Sequence, residues 1–162
     1  MKNYLKLFIL LFFVGFTLSY SAAQESAGIL KSAPQFQLQD LNDQAFFLSD
    51  YKDKQAVILF FWTTWCPYCR EELKALNKQY AELAKDAIKV LAINVGEPKY
   101  KVDNFTKNYN LALRVLLDKD STVADAYDLM GVPSYFVINK AGQIVSTGTR
   151  FPKDALKGLS SS

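Results

Sequence analysis

Five residues, Trp65-Cys66-Pro67-Tyr68-Cys69, constrain this chain more than any other stretch because of what flanks them. Ahead lies Ala56–Trp62 (AVILFFW), a continuous apolar run of the kind a strand shows when both faces are covered. Behind lies Pro67–Lys85, where Leu73, Leu76, Tyr80 and Leu83 recur at helical spacing with charges between them. The cysteines therefore sit at a strand-to-helix junction. Pro67 suits the first helical position, where its missing N–H is not needed. Cys66 then falls at or near the N-cap, where unpaired amides and the positive helix end favour a thiolate. A thiol with a lowered pKa is a nucleophile at neutral pH. Cys69, one turn further on, can reach Cys66 from a shielded position and act as a resolving thiol. The expected chemistry is a mixed disulfide formed on Cys66 and cleared by Cys69.

Bland roles for the pair fit less well. A bridge across two intervening residues closes a tiny loop and removes little entropy from the unfolded chain. Two cysteines and no histidine make half of a structural zinc site, so no metal is expected. The missing histidine also excludes Ser-His-Asp and Cys-His catalysis and a histidine pH switch. Arg70 after the second cysteine excludes a C-x-x-C-H haem attachment. No cofactor is expected beyond the redox-active disulfide itself.

The N-terminus points to export. Met1–Lys6 is a short basic region, Leu7–Leu18 is uncharged and strongly apolar, and Ser21-Ala22-Ala23 places small residues before a cut after Ala23. That is the layout of a signal peptide over residues 1–23. The competing reading is a retained membrane anchor, because residues 7–24 lack charge and reach the lower limit of a spanning helix. No cysteine follows the apolar run, which excludes a lipoprotein anchor. Either way the domain lies in a compartment that permits disulfides. The whole chain carries 19 basic and 16 acidic residues, and without the leader 17 face 16. The mature chain thus has no electrostatic footprint for nucleic acid.

Residues 24–34 read as a linker and 35–162 as one domain. Residues 36–38 and 46–48 alternate about a turn at 40–44, which suggests an N-terminal β-hairpin. Strands follow at 56–62, 88–95, 114–117, 134–139 and 143–147, the last two joined by a turn at 140–142. Helices fall at 67–85, 99–108, 121–127 with Ser121 or Asp120 as N-cap, and 152–159 with Pro152 at its start. Alternating strands and helices argue for an α/β fold around a central sheet. Phe60, Phe61, Trp62, Tyr135 and Phe136 lie in strand runs and read as core. Trp65 reads as a partly exposed platform, and Lys99, Lys101, Asp103 and Lys107 as a solvated helix face.

From Ala33 to about Leu156 the chain resembles the thioredoxin superfamily, and within it the exported TlpA/ResA-like thiol-disulfide oxidoreductases. Trp65–Cys69 matches the W-C-x-x-C motif, Gly131-Val132-Pro133 matches the loop whose proline is cis, and Ala92–Glu97 with Val115–Asp118 resembles the region particular to that group. The resemblance implies a four- to five-stranded mixed sheet flanked by helices. It implies a cis Pro133 against the disulfide, with the Val132 backbone pairing with an extended substrate, and Trp65, Pro67 and Tyr68 forming the rest of the contact surface. It also implies that Glu97 handles the proton of the resolving thiol, in place of the buried acid of thioredoxins proper, whose position is Phe60 here. The bland reading of Glu97 is a solvated turn residue before Pro98.

The function so implied is a reductase of the bacterial cell envelope, in the periplasm or on the outer face of the cytoplasmic membrane. Its partners would be exported proteins with cysteine pairs, apocytochromes c among them, and a membrane thiol-disulfide electron donor. Contact with the membrane itself would require a retained leader. Two alternatives use overlapping parts. An envelope oxidant or isomerase needs the same residues. A peroxiredoxin-like thiol peroxidase would use the T-x-x-C pattern of Thr63–Cys66, but Leu59 stands where that motif wants proline, and C-x-x-C is not its arrangement.

Overall fold

The computed structural model describes residues 31–159. The expected signal peptide and most of the linker lie outside the described residues. Elements run β1 (Gln37–Asp40), β2 (Ala45–Phe47), a 3-10 turn (Leu48–Tyr51), β3 (Ala56–Trp62), α1 (Pro67–Lys85), β4 (Ile88–Val95), α2 (Lys99–Asn108), β5 (Arg114–Asp118), α3 (Thr122–Ala126), β6 (Ser134–Ile138), β7 (Ile144–Gly148) and α4 (Lys153–Leu159).

One mixed sheet of seven strands, ordered β2-β1-β5-β4-β3-β6-β7, carries the fold. Strands β3, β4 and β5 are parallel, which requires the crossover helices α1 and α2. The sheet is wider than the four or five strands expected. The N-terminal hairpin adds β1 and β2 by antiparallel pairing of Gln39 with Leu117 and Asp40 with Leu116. The segment read as the end of the linker is also docked: Ala33 donates to Gly142 O at 2.9 Å, and Ile144 donates to Lys31 O at 2.9 Å.

Every residue of β3 is buried because successive side chains enter different cores. Ile58, Phe60 and Trp62 meet Leu73, Leu76 and Leu83 of α1 and Val102 of α2. Val57, Leu59 and Phe61 meet Phe46, Leu116, Val123 and Tyr127 on the opposite face. Truncating Leu73 or Leu76 to alanine would cost about 2–5 kcal/mol at such fully buried positions. The expected core aromatics behave alike except Phe136, which is half-buried on β6.

Short elements differ slightly from expectation. Strand β2 ends at Phe47, and Leu48 begins the 3-10 turn. Ser121 stands at the N-cap position of α3, as expected, but it takes a left-handed φ of 63° and its side chain makes no cap bond. Asp118 reaches over it and accepts from the amides of Val123 at 3.1 Å and Ala124 at 2.8 Å. Asp120 serves Thr122 instead, accepting from its amide and hydroxyl.

Candidate redox site

The carboxyl ends of β3 and β4 form the rim where open α/β sheets place their reactive groups. Register aligns Trp62 with Asn94 there, so the chain leaving β3 toward Cys66 runs beside the chain leaving β4 toward Glu97. Helix α1 begins with Pro67 at its first position and Cys66 as N-cap, with extended backbone. Cys66 Sγ accepts from the Cys69 amide at 3.1 Å. That is the N-cap geometry in which sulfur replaces the usual side-chain oxygen. The sulfur thus sits on a free helical amide, in the positive field of a 19-residue helix.

Cys66 and Cys69 are joined by a disulfide with Cα atoms 5.3 Å apart, so the structure is that of the oxidised protein. Cys69 is fully buried and Cys66 nearly so, and Cys66 Sγ lies 3.7 Å from the carbonyl oxygen of Val132. A disulfide sulfur has no hydrogen to donate, so this is a contact that becomes a hydrogen bond only in the thiol state. The Val132–Pro133 peptide is cis. Around the sulfurs the surface is apolar and open: Trp65 is 64% exposed and Tyr68 77% exposed, with Pro67 between them.

Glu97 is not a solvated turn residue. It is 5% exposed, yet charged and fully hydrogen-bonded. Its Oε2 accepts from the Thr64 amide at 2.6 Å and from Asn94 Nδ2 at 2.8 Å. Its Oε1 accepts from Thr64 Oγ1 at 2.7 Å and pairs with Lys101 Nζ at 2.6 Å. Burial acts to raise the Glu97 pKa, but the bonds from Lys101, Asn94 and Thr64 outweigh it, and the carboxyl is held below its ordinary value. Thr64 lies two residues before Cys66, so the carboxylate is tied directly to the loop that carries the disulfide.

The structure thus brings Trp65, Cys66, Pro67, Tyr68, Cys69, Val132 and Pro133 to one rim, with Glu97 bound to the loop entering it. Thr64, Asn94 and Lys101 escaped the sequence reading. Lys101 was legible in principle, because Glu97 and Lys101 stand at the i,i+4 spacing that pairs such charges. Thr64 and Asn94 carry no comparable signal. Among the described residues no group of three or more Cys, Asp or Glu side chains could hold a metal ion.

The chain is similar to known proteins in sequence and in fold. The AhpC/TSA family model matches residues 29–147. The chain is 40% identical over 147 residues to the thiol-disulfide oxidoreductase ResA of Bacillus subtilis, covering 88% of this chain and 82% of that one. It is 34% identical over 159 residues to ResA of Geobacillus kaustophilus, covering 96% and 91%. Among solved structures, a Chlorobium tepidum protein assigned as the thiol:disulfide interchange protein DsbE superposes with a TM-score of 0.72 at 25% identity, over 80% of this chain and 93% of that one. StoA of Bacillus subtilis superposes with a TM-score of 0.66 at 25% identity, over 78% and 96%. With the disulfide at its strand-to-helix junction, the chain belongs to the AhpC/TSA family as a ResA-like thiol-disulfide oxidoreductase of thioredoxin-like fold.

Proposed function

We propose that this oxidoreductase works as a reductase in the cell envelope, with Cys66 as attacking thiol, Cys69 as resolving thiol and Glu97 as proton acceptor. The observation that supports this reading best is Cys66 Sγ at the N-cap of α1, on the Cys69 amide and beside Val132 O. In the reduced enzyme the Cys66 thiolate attacks a substrate disulfide. One S–S bond forms on Cys66 as another breaks, and a substrate thiolate leaves. Cys69 then gives its proton to Glu97 and attacks Cys66 Sγ. The second substrate thiol is released and the enzyme keeps the disulfide, having transferred two electrons. A membrane thiol-disulfide donor restores the dithiol. The substrates are exported proteins with cysteine pairs, apocytochromes c included, held by Val132 and Pro133 and by the open face of Trp65, Pro67 and Tyr68. The leader-like N-terminus supports an envelope location. Among the described residues no helix is long and apolar enough to cross a membrane.

The test is the reduction potential of the Cys66–Cys69 pair, measured against glutathione or dithiothreitol. A reductase requires a value near or below about −250 mV, whereas a value near about −120 mV makes the protein an oxidant. Trapping with Cys69→Ser in the envelope then names the substrates through stable mixed disulfides on Cys66. Rapid Cys66-dependent peroxide turnover would favour a thiol peroxidase instead.

A further inference from the structure

Glu97 has no room for another donor. A carboxylate offers about four acceptor positions, and four donors fill them: the Thr64 amide, the Thr64 hydroxyl, the Asn94 amide group and the Lys101 ammonium. None of these is a cysteine. A group so occupied cannot take a proton from a thiol until one donor withdraws. Three of the four belong to the framework of the site: two come from the half-buried Thr64 in the loop that carries the disulfide, and one from Asn94, which is fully buried at the end of β4. The fourth is different in kind. Lys101 is 46% exposed, on the first turn of α2, and its ammonium can return to water at little cost.

We propose that Lys101 is a positioning residue of the exchange reaction: its ammonium occupies Oε1 of Glu97 in the oxidised enzyme and withdraws to let Glu97 accept the proton of the resolving thiol. The step balances simply. The Cys69 S–H proton passes to the carboxylate, the ion pair opens, the ammonium is rehydrated, and the proton returns to solvent when the pair closes again. The proposal rests on the reading of Glu97 as proton acceptor. Other charges about Glu97 are already engaged. Lys99 on α2 is taken up by Asp43 of the β1–β2 turn, Asp118 at the end of β5 is taken up by the first amides of α3, and the first turn of α1 holds no acidic residue. Lys101 is therefore the one cation bonded to the Glu97 carboxylate among the described residues.

The experiment compares the full-length wild type with Lys101→Met and Lys101→Arg. Two readouts are followed across pH: the carboxyl carbon-13 shift of Glu97 in the oxidised protein, and the rate of reduction of a disulfide peptide by the reduced protein. Lys101→Met moves the Glu97 titration to higher pH and slows exchange about two- to fivefold below that inflection, the effect of a charged pair with one half-exposed member. Above the inflection it speeds exchange, because no ion pair has to open, so the two rate profiles cross. Lys101→Arg restores the wild-type profile. A merely structural lysine would lower the rate equally at every pH. If Lys101→Met leaves the Glu97 titration and the rate inflection in place, while Glu97→Gln removes the inflection, the role of Lys101 is overturned and that of Glu97 stands. If Glu97→Gln keeps the inflection, the proton-acceptor reading falls and the Lys101 proposal with it.

Discussion

Tyr135 and Glu72 are joined by a 2.8 Å hydrogen bond that ties the strand after Pro133 to the helix after Cys69. Tyr135 stands two residues beyond Pro133 on β6, and Glu72 one turn beyond Cys69 on α1. The same Glu72 oxygen accepts from the Phe151 amide at 3.1 Å, so the segment leading to α4 is held too. Tyr135 is fully buried, and burial together with the Glu72 carboxylate raises its phenol pKa, keeping it a donor. Tyr135→Phe should therefore cost about 1–2 kcal/mol, and Glu72→Ala about 2–3 kcal/mol, because it strands both the phenol and the Phe151 amide. Urea unfolding of the oxidised proteins checks the order. Equal losses would mean that the amide finds another partner.

The two cysteines should differ in reactivity once reduced. Both lie at the start of α1, Cys66 as its N-cap and Cys69 in its first turn, but only Cys66 borders the open face of Trp65, Pro67 and Tyr68, and its sulfur rests on a helical amide. Iodoacetamide at pH 7 should label Cys66 about tenfold or more faster than Cys69. Cys66→Ser should abolish disulfide reduction, whereas Cys69→Ser should still form mixed disulfides and then stall. Mass spectrometry of the labelled peptides decides. Faster labelling of Cys69 would reverse the assignment.

Much of this arrangement was legible in the chain. AVILFFW needs cover on both faces, and the spacing of Leu73, Leu76 and Leu83 needs one, so β3 and α1 followed from pattern alone. What stayed hidden depends on contacts between distant segments. Nothing local tells Gln39 and Asp40 to pair with Leu117 and Leu116, and so the sheet gained two strands. Ser121 is a good N-cap residue by type, yet its left-handed backbone passes the role to Asp118. Lys101 looked like part of a solvated face because the periodicity of α2 begins after Glu97. Only the burial of Glu97 by Thr64 and Asn94 gives that lysine a partner that matters.

Two buried carboxylates should pull stability in opposite directions with pH. Burial tends to raise the Glu97 pKa, but its hydrogen bonds prevail and hold it below the ordinary glutamate value. Its contribution is therefore complete above the unfolded value, about 4.3, and is lost as pH falls through the lower folded value. Asp118 is raised by burial, despite the amides of Ala124 and Val123. Its contribution is complete below about 3.9 and is lost as pH rises through its folded value. Relative to wild type, Glu97→Gln should thus lose most stability near neutral pH and least in acid. Asp118→Asn should do the reverse, apart from a constant cost of about 1–2 kcal/mol for the weakened cap. Chemical denaturation at a series of pH values separates them, and parallel curves would contradict both assignments.

The turn that delivers Glu97 depends on Gly96. Its φ is +68°, a region in which a side chain is strained, and a Cβ there would lie 3.3 Å from Ser121 Oγ. The Gly96 amide donates to Asp118 O at 2.8 Å, so the turn cannot readily move aside. Gly131, beside Val132, has no such φ, and a Cβ there meets nothing within 4 Å. Alanine lowers the entropy of the unfolded chain at either site, by an amount worth up to about 1 kcal/mol. At Gly131 that gain is not opposed, so Gly131→Ala should be neutral or slightly stabilising. At Gly96 left-handed strain of about 1–2 kcal/mol opposes it, and Gly96→Ala should be destabilised by about 1 kcal/mol net. The same change should disturb the pH profile of exchange, because Glu97 follows directly, while Gly131→Ala should leave that profile in place. Thermal unfolding and peptide reduction on the two variants test both halves. An unaltered profile in a destabilised Gly96→Ala would show that Thr64 and Asn94 alone suffice to hold the carboxylate.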